Sequence, residues 1–420
     1  MHFPSLWAGL LLGSSAGLLA QSLPPPELSA PVSLPVARQW ARDQDPLLRQ
    51  FATLDDAAAG QVEQAGLRPN PVVGAELENI LGTGPLSGVD GMEITVGISQ
   101  RLETAAKRRH RTTVAERERD LLQWQAAQRR AELDAAVSAA FVEVLLAQQT
   151  LDLDRELLDL ASQSLRETER LVEAAQSSAV DRSRAALAVS RHRFALAQTE
   201  RELAAARDGL ASLWGMAPAP AFSVTGETSP PPPHALADLL ALLDATAALG
   251  RFAAESAHRE AQLTLEQARA HPDVEVSAGA RYFNEAGGDG AFLVGASIPW
   301  PLHDRNQGNI RSARARLQAV DHEREAARRE LLREVALAHR EWTNAHAASE
   351  TLANDLLPAA RQTLADTEAG YQRGQFTLLA VLESRGALIE VRAAQLENLR
   401  RAHRAAARIE ALTRPADLQP

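Results

Sequence analysis

The sequence predicts a mostly α-helical chain with a small β part, in which long helical hairpins carry two pairs of short strands. Three observations predict it. First, the second half repeats the first at an offset of roughly 199 residues, and a repeat of this kind decides the architecture before any local detail does. Val96-Gly97 answers to Val294-Gly295, Leu102 to Leu302 and Val137 to Val335. Leu158, Leu165 and Val172 answer to Leu357, Leu364 and Tyr371, and Leu213 to Leu412. Second, no Pro or Gly interrupts Ala105 to Val172. Third, four short segments alternate apolar and polar residues with the period of two that marks a strand.

At 420 residues the chain has the length of two ordinary domains, but its composition does not suit compact globules. Aromatics make up 4%, and Ala, Leu, Arg and Glu fill long stretches with helical periodicity. The net charge of -10 argues against nucleic acid, which demands a basic footprint. Lys107 is the only lysine, so the basic residues are almost all Arg, alternating with Glu as on solvated helix faces. The absence of cysteine excludes disulfides, thiolate metal sites and a lipidated N-terminal Cys.

Leu6 to Leu19 is an apolar run ending at Ala20 before Gln21-Ser22, so residues 1–20 are expected to be a secretory signal peptide. Residues 21–45 read as an N-terminal linker, Pro-rich over 23 to 35. The first repeat is assigned to 46–235 and the second to 236–420. A helix pattern from Val36 to Ala65 breaks near Asp45-Pro46 and ends at Arg68-Pro69-Asn70-Pro71, because prolines do not fit a helix interior.

Val72 to Ile80 reads as a strand, then Glu93 to Ser99 places Ile94, Val96 and Ile98 on one face. In the second copy Val274, Val276, Ala278, Ala280 and Tyr282 share a face, and Phe292, Val294, Ala296 and Ile298 form the fourth strand. The length and dyad alternation match transmembrane barrel strands; a soluble sheet on a helical core fits the strand pattern equally well. No stretch after the signal approaches the roughly 20 apolar residues of a membrane helix, so any membrane insertion is through strands.

The long helix from Ala105 carries Val137, Val144, Leu151, Leu158, Leu165 and Val172 at intervals of seven, with Ala140, Ala147 and Ala161 three beyond. That is the seam of supercoiled helices, and the helix spans on the order of 100 Å. Its counterpart, about Asn306 to Tyr371, is expected to kink at Pro358. Return helices over Val180 to Leu213 and Phe376 to Leu412, and a lead-in helix over Ala235 to Ala270, are about half as long, so a return helix and a lead-in helix together match one long helix. The arrangement is a tall cylinder. Four membrane strands cannot close, because an open edge in lipid leaves backbone groups unpaired. Three chains related by cyclic symmetry supply twelve strands, and two supply the minimum of about eight.

The residues at the strand-to-helix junctions then become recognisable. Asn70-Pro71, Glu76-Leu77-Glu78-Asn79 and Ser99-Gln100-Arg101-Leu102-Glu103, with Lys107-Arg108 and Arg111, form one block. Gly295 to Leu302, including Pro299 and Pro301, and then Asp304-Arg305-Asn306-Gln307-Gly308 form the other. Together they resemble the outer-membrane factors of heavy-metal efflux systems, the CzcC- and CusC-like branch of the TolC family, over about residues 46 to 415. The resemblance implies a homotrimer with a twelve-stranded outer-membrane barrel and a periplasmic α-helical tunnel. It also implies an exit duct that docks through its hairpin tips onto a periplasmic adaptor and is energised by an inner-membrane RND-type pump. The family's tips carry a Tyr-x-x-Gly pattern with an acidic residue about six positions on. Tyr371 and Gly374 keep the pattern in the second copy, next to Thr377, but Ala380 takes the acidic position. Asp181 keeps the acidic position in the first copy, where Val172 and Ala175 replace Tyr and Gly.

Asp181 and Glu383 are candidates for carboxylate rings at the tunnel tip, where threefold symmetry brings like charges together and attracts cations. The plainer reading pairs them with Arg184 and Arg385 as ordinary exposed ion pairs. The eleven histidines lack the tight spacing of a structural zinc site, so no metal site is expected. Trp300 and Tyr282 suit an aromatic belt or the barrel–tunnel junction, and Trp124 and Trp342 suit helix packing. No nucleophile elbow, triad or phosphate loop is present, so neither catalysis nor a cofactor is expected. A duct for drugs or secreted polypeptides, and a soluble periplasmic coiled-coil adaptor, are the alternatives.

Overall fold

The computed structural model describes residues 30–216, 218–227, 229, 231–285 and 287–416. The expected signal peptide, residues 1–20, lies outside the described residues. The expected N-terminal linker, residues 21–45, contains a helix, α1 (Leu34–Gln44); the first copy then runs α2 (Pro46–Gly66), β1 (Val72–Glu78), β2 (Glu93–Leu102), α3 (Lys107–Glu173) and α4 (Ala179–Ser212). The second runs α5 (Leu236–Ala241), α6 (Ala247–Arg269), β3 (Val274–Phe283), β4 (Asp289–Ser297), α7 (Gln307–Thr351), α8 (Leu357–Gln372) and α9 (Leu378–Thr413).

Each lead-in is broken into two helices. Between α1 and α2, Asp45 takes extended backbone angles, caps α2 by accepting from the Leu48 N–H at 2.8 Å, and pairs with Arg129 of α3 at 2.5 Å. Pro46 then sits in the first turn of α2, where its missing N–H costs nothing. The single lead-in helix expected over Ala235 to Ala270 is likewise two helices. A 3₁₀ turn (Leu243–Ala245) and the extended Thr246 separate them. The reason is burial: Leu239 and Leu243 both reach the core, and Thr246 turns its hydroxyl back onto the Leu243 carbonyl at 2.7 Å. No sequence breaker marks this point.

The kink expected at Pro358 is replaced by a π turn over Leu352–Leu356, immediately before α8. The Leu357 N–H closes it on the Leu352 carbonyl, five residues back. Proline supplies no N–H and its ring crowds the carbonyl four residues back, so a widened turn accommodates it. A π turn is one residue inserted into an α-helix, and the repeat records it. Val335 follows Val137 by 198 residues, whereas Leu357 follows Leu158 by 199.

Two cores stand side by side. One packs α1, α3 and α4 around Trp214, whose indole N–H donates to the Ala37 carbonyl at 3.0 Å and whose ring meets Trp40 edge-on. Truncating such a buried indole costs about 3–5 kcal/mol. The other packs α5, α6, α7 and α9 around Trp342, and Trp124 of α3 lies against Gly250 of α6, where a Cβ would sit 2.3 Å from the ring. The α3 seam follows the heptad through Val137, Val144 and Leu151. It then moves to Leu157, Ala161 and Thr168, and leaves Leu158, Leu165 and Val172 half-buried. An α-helix drifts about 20° per heptad, so a strict line of sevens cannot stay on one contact over this length.

Candidate functional site

The four strands form one antiparallel sheet in the order β1-β2-β3-β4, with β2 and β3 joining the two copies. The register aligns Val73 with Ile98 and Ala278, Ala75 with Val96 and Ala280, and Leu77 with Ile94 and Tyr282; Ala280 meets Phe292 and Ala278 meets Val294. Because opposite residues share a face, these make one continuous apolar surface. It is bare: Phe292 is 94% exposed, Val294 89% and Val73 72%. The other face carries Arg281, which donates to Glu93 at 2.8 Å and to the Thr95 hydroxyl at 2.9 Å, and whose guanidinium forms an ion pair with Glu78 at 2.8 Å. Gly97 and Gly279 face each other on that side, and a Cβ on Gly279 would lie 2.7 Å from the Val96 carbonyl oxygen. Side chains are excluded where a curved sheet crowds its inner face. The strands β1 and β4 each have an unpaired edge. Trp300, just past β4, is 78% exposed and packs in no core, and Tyr282 sits on the apolar face.

The junctions hold the sheet on the helices. In the first copy Gln100 donates to the Pro69 carbonyl at 2.8 Å, and Arg111 binds Glu103 at 2.6 Å and the Ala65 carbonyl at 2.9 Å. Lys107 is buried and pairs at 2.6 Å with Asp273, which also accepts from the Thr104 N–H at 3.0 Å. This ties the first copy's junction to the start of the second copy's strand. In the second copy Asn306, in the left-handed region at φ 57°, donates to the Glu266 carboxylate at 2.6 Å, and Asp304 accepts from its N–H at 2.9 Å. Arg305 reaches the Pro301 carbonyl at 3.3 Å. Arg108, Pro299 and Gly308 are exposed, and nothing in the isolated chain explains those three.

The hairpin tips lie at the far ends of α3 and α8. Both turn by the same motif. In the first, Ala175 adopts φ 58° while the N–H groups of Ala175 and Gln176 bond the carbonyls of Val172 and Leu171. In the second, Gly374 adopts φ 74° while Gly374 and Gln375 bond Tyr371 and Gly370. This is the Schellman arrangement, so Val172 and Ala175 keep the geometry that Tyr371 and Gly374 have. Ser178 and Thr377 then cap the return helices. Asp181 completes a capping box: its carboxylate accepts from the Ser178 N–H at 3.3 Å while its own N–H donates to the Ser178 hydroxyl at 3.1 Å; the carboxylate also accepts from that hydroxyl at 2.7 Å, and Arg184 stands 3.9 Å away. The Ser178 hydrogen bond, ahead of the opposing effect of burial, holds the Asp181 carboxyl below its ordinary range. Ala380 leaves the second copy with the Thr377 cap alone.

Asp181, Tyr371, Gly374 and Thr377 line one cleft of about 1330 Å³ between the tips. Burial, and then the nearby charges of Asp181 and Glu167, push the Tyr371 phenol up. Glu383 lies outside this cleft, on a groove of about 460 Å³ that His192 and Arg184 also line. It is exposed and has no polar partner among the described residues. Arg385, the partner considered for it, binds Glu368 at 2.6 Å instead. Two of the histidines have polar neighbours within the chain: His339 donates to the His234 carbonyl at 2.9 Å, and His346 approaches Glu350 at 3.7 Å.

The sequence profile of the outer membrane efflux protein family matches residues 37–216 and 241–413. The chain belongs to the outer membrane efflux protein family. It is 30% identical over 92% of its length to the cobalt-zinc-cadmium resistance protein CzcC of Cupriavidus metallidurans, of which it covers 91%. Among solved structures it is similar to a membrane protein from Pseudomonas aeruginosa, with a TM-score of 0.73 at 19% identity, covering 92% of this chain and 91% of that one. CusC gives 0.71 at 18% identity over 94% and 97%. These likenesses show the fold. Its family places this protein in the outer membrane. No helix among the described residues is long and apolar enough to cross a membrane.

Three features of the tips and junctions were not read from the sequence. Gly370 is buried, and a Cβ there would lie 2.2 Å from the Phe376 ring, so Gly370 lets the ring fold back onto α8. A glycine inside a helix, about 1 kcal/mol poorer than alanine, was the available signal. The Glu368–Arg385 pair and the Lys107–Asp273 pair left no such signal, because their partners come from different elements.

Proposed function

We propose that the chain is the outer-membrane exit duct of a tripartite efflux system that exports heavy-metal cations, and that it works as a homotrimer. The carrying observation is the open four-stranded sheet: a bare apolar face, a polar face organised by Arg281, and two unpaired edges. Pairing β4 of one protomer with β1 of the next removes every edge and closes twelve strands around a polar lumen. The repeats at 46–235 and 236–420 then act as neighbouring staves of one tube. The duct is passive; energy comes from an inner-membrane RND-type pump through a periplasmic adaptor docked at the tips around Val172, Ala175, Tyr371, Gly374 and Thr377. Under threefold symmetry Asp181 and Glu383 become rings of carboxylates, of which Glu383 is the freer. The metal assignment rests on the likeness to a cobalt-zinc-cadmium resistance protein along nearly the whole chain.

Deleting the gene and scoring growth on zinc, cobalt, cadmium, nickel and copper salts tests the cargo; unchanged tolerance to all of them removes the metal reading. Heat-sensitive trimer migration from outer-membrane detergent extracts tests the assembly. A monomer in the soluble periplasmic fraction removes the duct reading altogether.

A further inference from the structure

Inside the chain the two copies meet where α3 lies along α9. Arg404 and Arg400 of α9 approach Glu143 of α3 at 2.7 and 3.4 Å, and Arg392 of α9 approaches Glu156 of α3 at 3.2 Å. A closed ring of alternating copies needs a second seam of the same kind, in which the return helix of a first copy lies along the long helix of a second copy from another protomer. Those two helices are α4 and α7, and the repeat tells which residues must meet.

The α4 and α9 helices correspond at a constant offset of 199 from their caps, Ser178 and Thr377. Four buried positions agree between the two helices: Ala185 with Ser384, Val189 with Leu388, Leu203 with Ala402 and Leu210 with Ile409. On this correspondence Arg193 stands where Arg392 stands, and Arg201 where Arg400 stands. Along α3 and α7, Leu133 and Leu331, Val137 and Val335, and Val144 and Trp342 are buried in pairs, which places Glu341 opposite Glu143 in the repeat. Within the π turn, Asp355 precedes Leu357 by the same two residues as Glu156 precedes Leu158. All four counterparts are exposed, and among the described residues the side chains of Arg193, Arg201, Glu341 and Asp355 make no hydrogen bond or ion pair within the chain. The same faces carry bare apolar side chains: Leu187 and Phe194 on α4, and Leu337 and Leu356 on α7 and the π turn. Leu157 is buried, and its counterpart Leu356 is 47% exposed.

We infer that α4 of one protomer packs along α7 of the next, with Arg201 on Glu341 of the partner subunit and Arg193 on Asp355 of the partner subunit. The inference rests on the trimer proposed above and goes beyond it by naming the register of the seam. The two seams are not equal. Arg404 has no counterpart, since Ala205 takes its place, so the partner's Glu341 meets one guanidinium where Glu143 meets two.

The cysteine-free chain makes the test direct. Purified full-length protein in detergent, carrying Arg201→Cys with Glu341→Cys, is treated with a short bis-maleimide and run fully denatured. The expected result is a shift of the monomer band to covalent dimer and trimer, absent in either single variant. Arg400→Cys with Glu143→Cys is the control and reacts within one chain without changing the oligomer band. A double variant that is trimeric by native sizing yet gives no covalent oligomer, while the control reacts, overturns the seam and leaves the trimer standing. A native chain that is not a trimer overturns both. Should the double cysteine variant not assemble, Arg201→Glu answers the same question. It lowers the temperature at which the trimer dissociates and Glu341→Arg restores it; failure of that rescue overturns the pairing.

Discussion

Ala175 and Gly374, 199 residues apart, hold the same left-handed turn at φ 58° and φ 74°. Only one of them is a residue that adopts it without steric cost. An L-residue with a Cβ pays about 1–2 kcal/mol in this region. Ala175→Gly therefore stabilises the first tip by about 0.5–1 kcal/mol after the entropy of glycine in the unfolded chain is deducted. Gly374→Ala destabilises the second by about 1 kcal/mol. Thermal unfolding of the two variants in detergent, compared with the parent, checks both signs.

Asp181 is the carboxylate of a capping box, so Asp181→Ala costs about 0.5–2 kcal/mol locally, read as faster amide hydrogen exchange in the first turn of α4. Its folded pKa lies below the ordinary 3.8. A depressed carboxylate contributes stability that is complete above the unfolded value and disappears as pH falls through the folded one. Exchange at this turn, divided by the intrinsic rate of the unfolded chain at each pH, is thus expected to be flat from neutral pH down to near 3.8 and to rise below it. The Asp181→Ala variant shows no such rise.

Asp273→Ala removes the partner of buried Lys107 and the acceptor of the Thr104 N–H. Stranding a largely buried charge costs about 3–5 kcal/mol. The trimer is expected to dissociate at a lower temperature on unheated gels. Asp273→Asn keeps the acceptor and loses only the charge, so it falls between.

Phe292 and Leu293 are neighbours on opposite faces of β4. Phe292→Arg places a charge against lipid at a cost of about 2–4 kcal/mol and depletes the protein from the outer membrane. Leu293→Arg points into the lumen and is expected to assemble. Equal depletion of both variants in membrane fractions contradicts the face assignment.

Glu383→Ala removes the proposed carboxylate ring at the tips. Single-channel recordings in planar bilayers are expected to show weaker block by divalent cations, with conductance changed in the same variant. Unchanged conductance and block sink the ring.

Much of this architecture is legible one residue at a time. Alternation at Ile94, Val96 and Ile98 needs only a period of two, and the run from Ala105 to Val172 needs only the absence of Pro and Gly. The turn at Gly374 needs only a residue that tolerates positive φ. The break at Thr246 was not legible, because Leu239 and Leu243 there answer to a core made by distant helices.

The sequence by itself determined the helices, the strands, their polar and apolar faces and the twofold repetition, since each follows from local periodicity and backbone sterics. Tertiary structure alone decided that Lys107 meets Asp273 and that Arg385 chooses Glu368 over Glu383. Those choices depend on which side chains packing brings within about 3 Å of one another, a distance that no spacing along one strand or helix encodes.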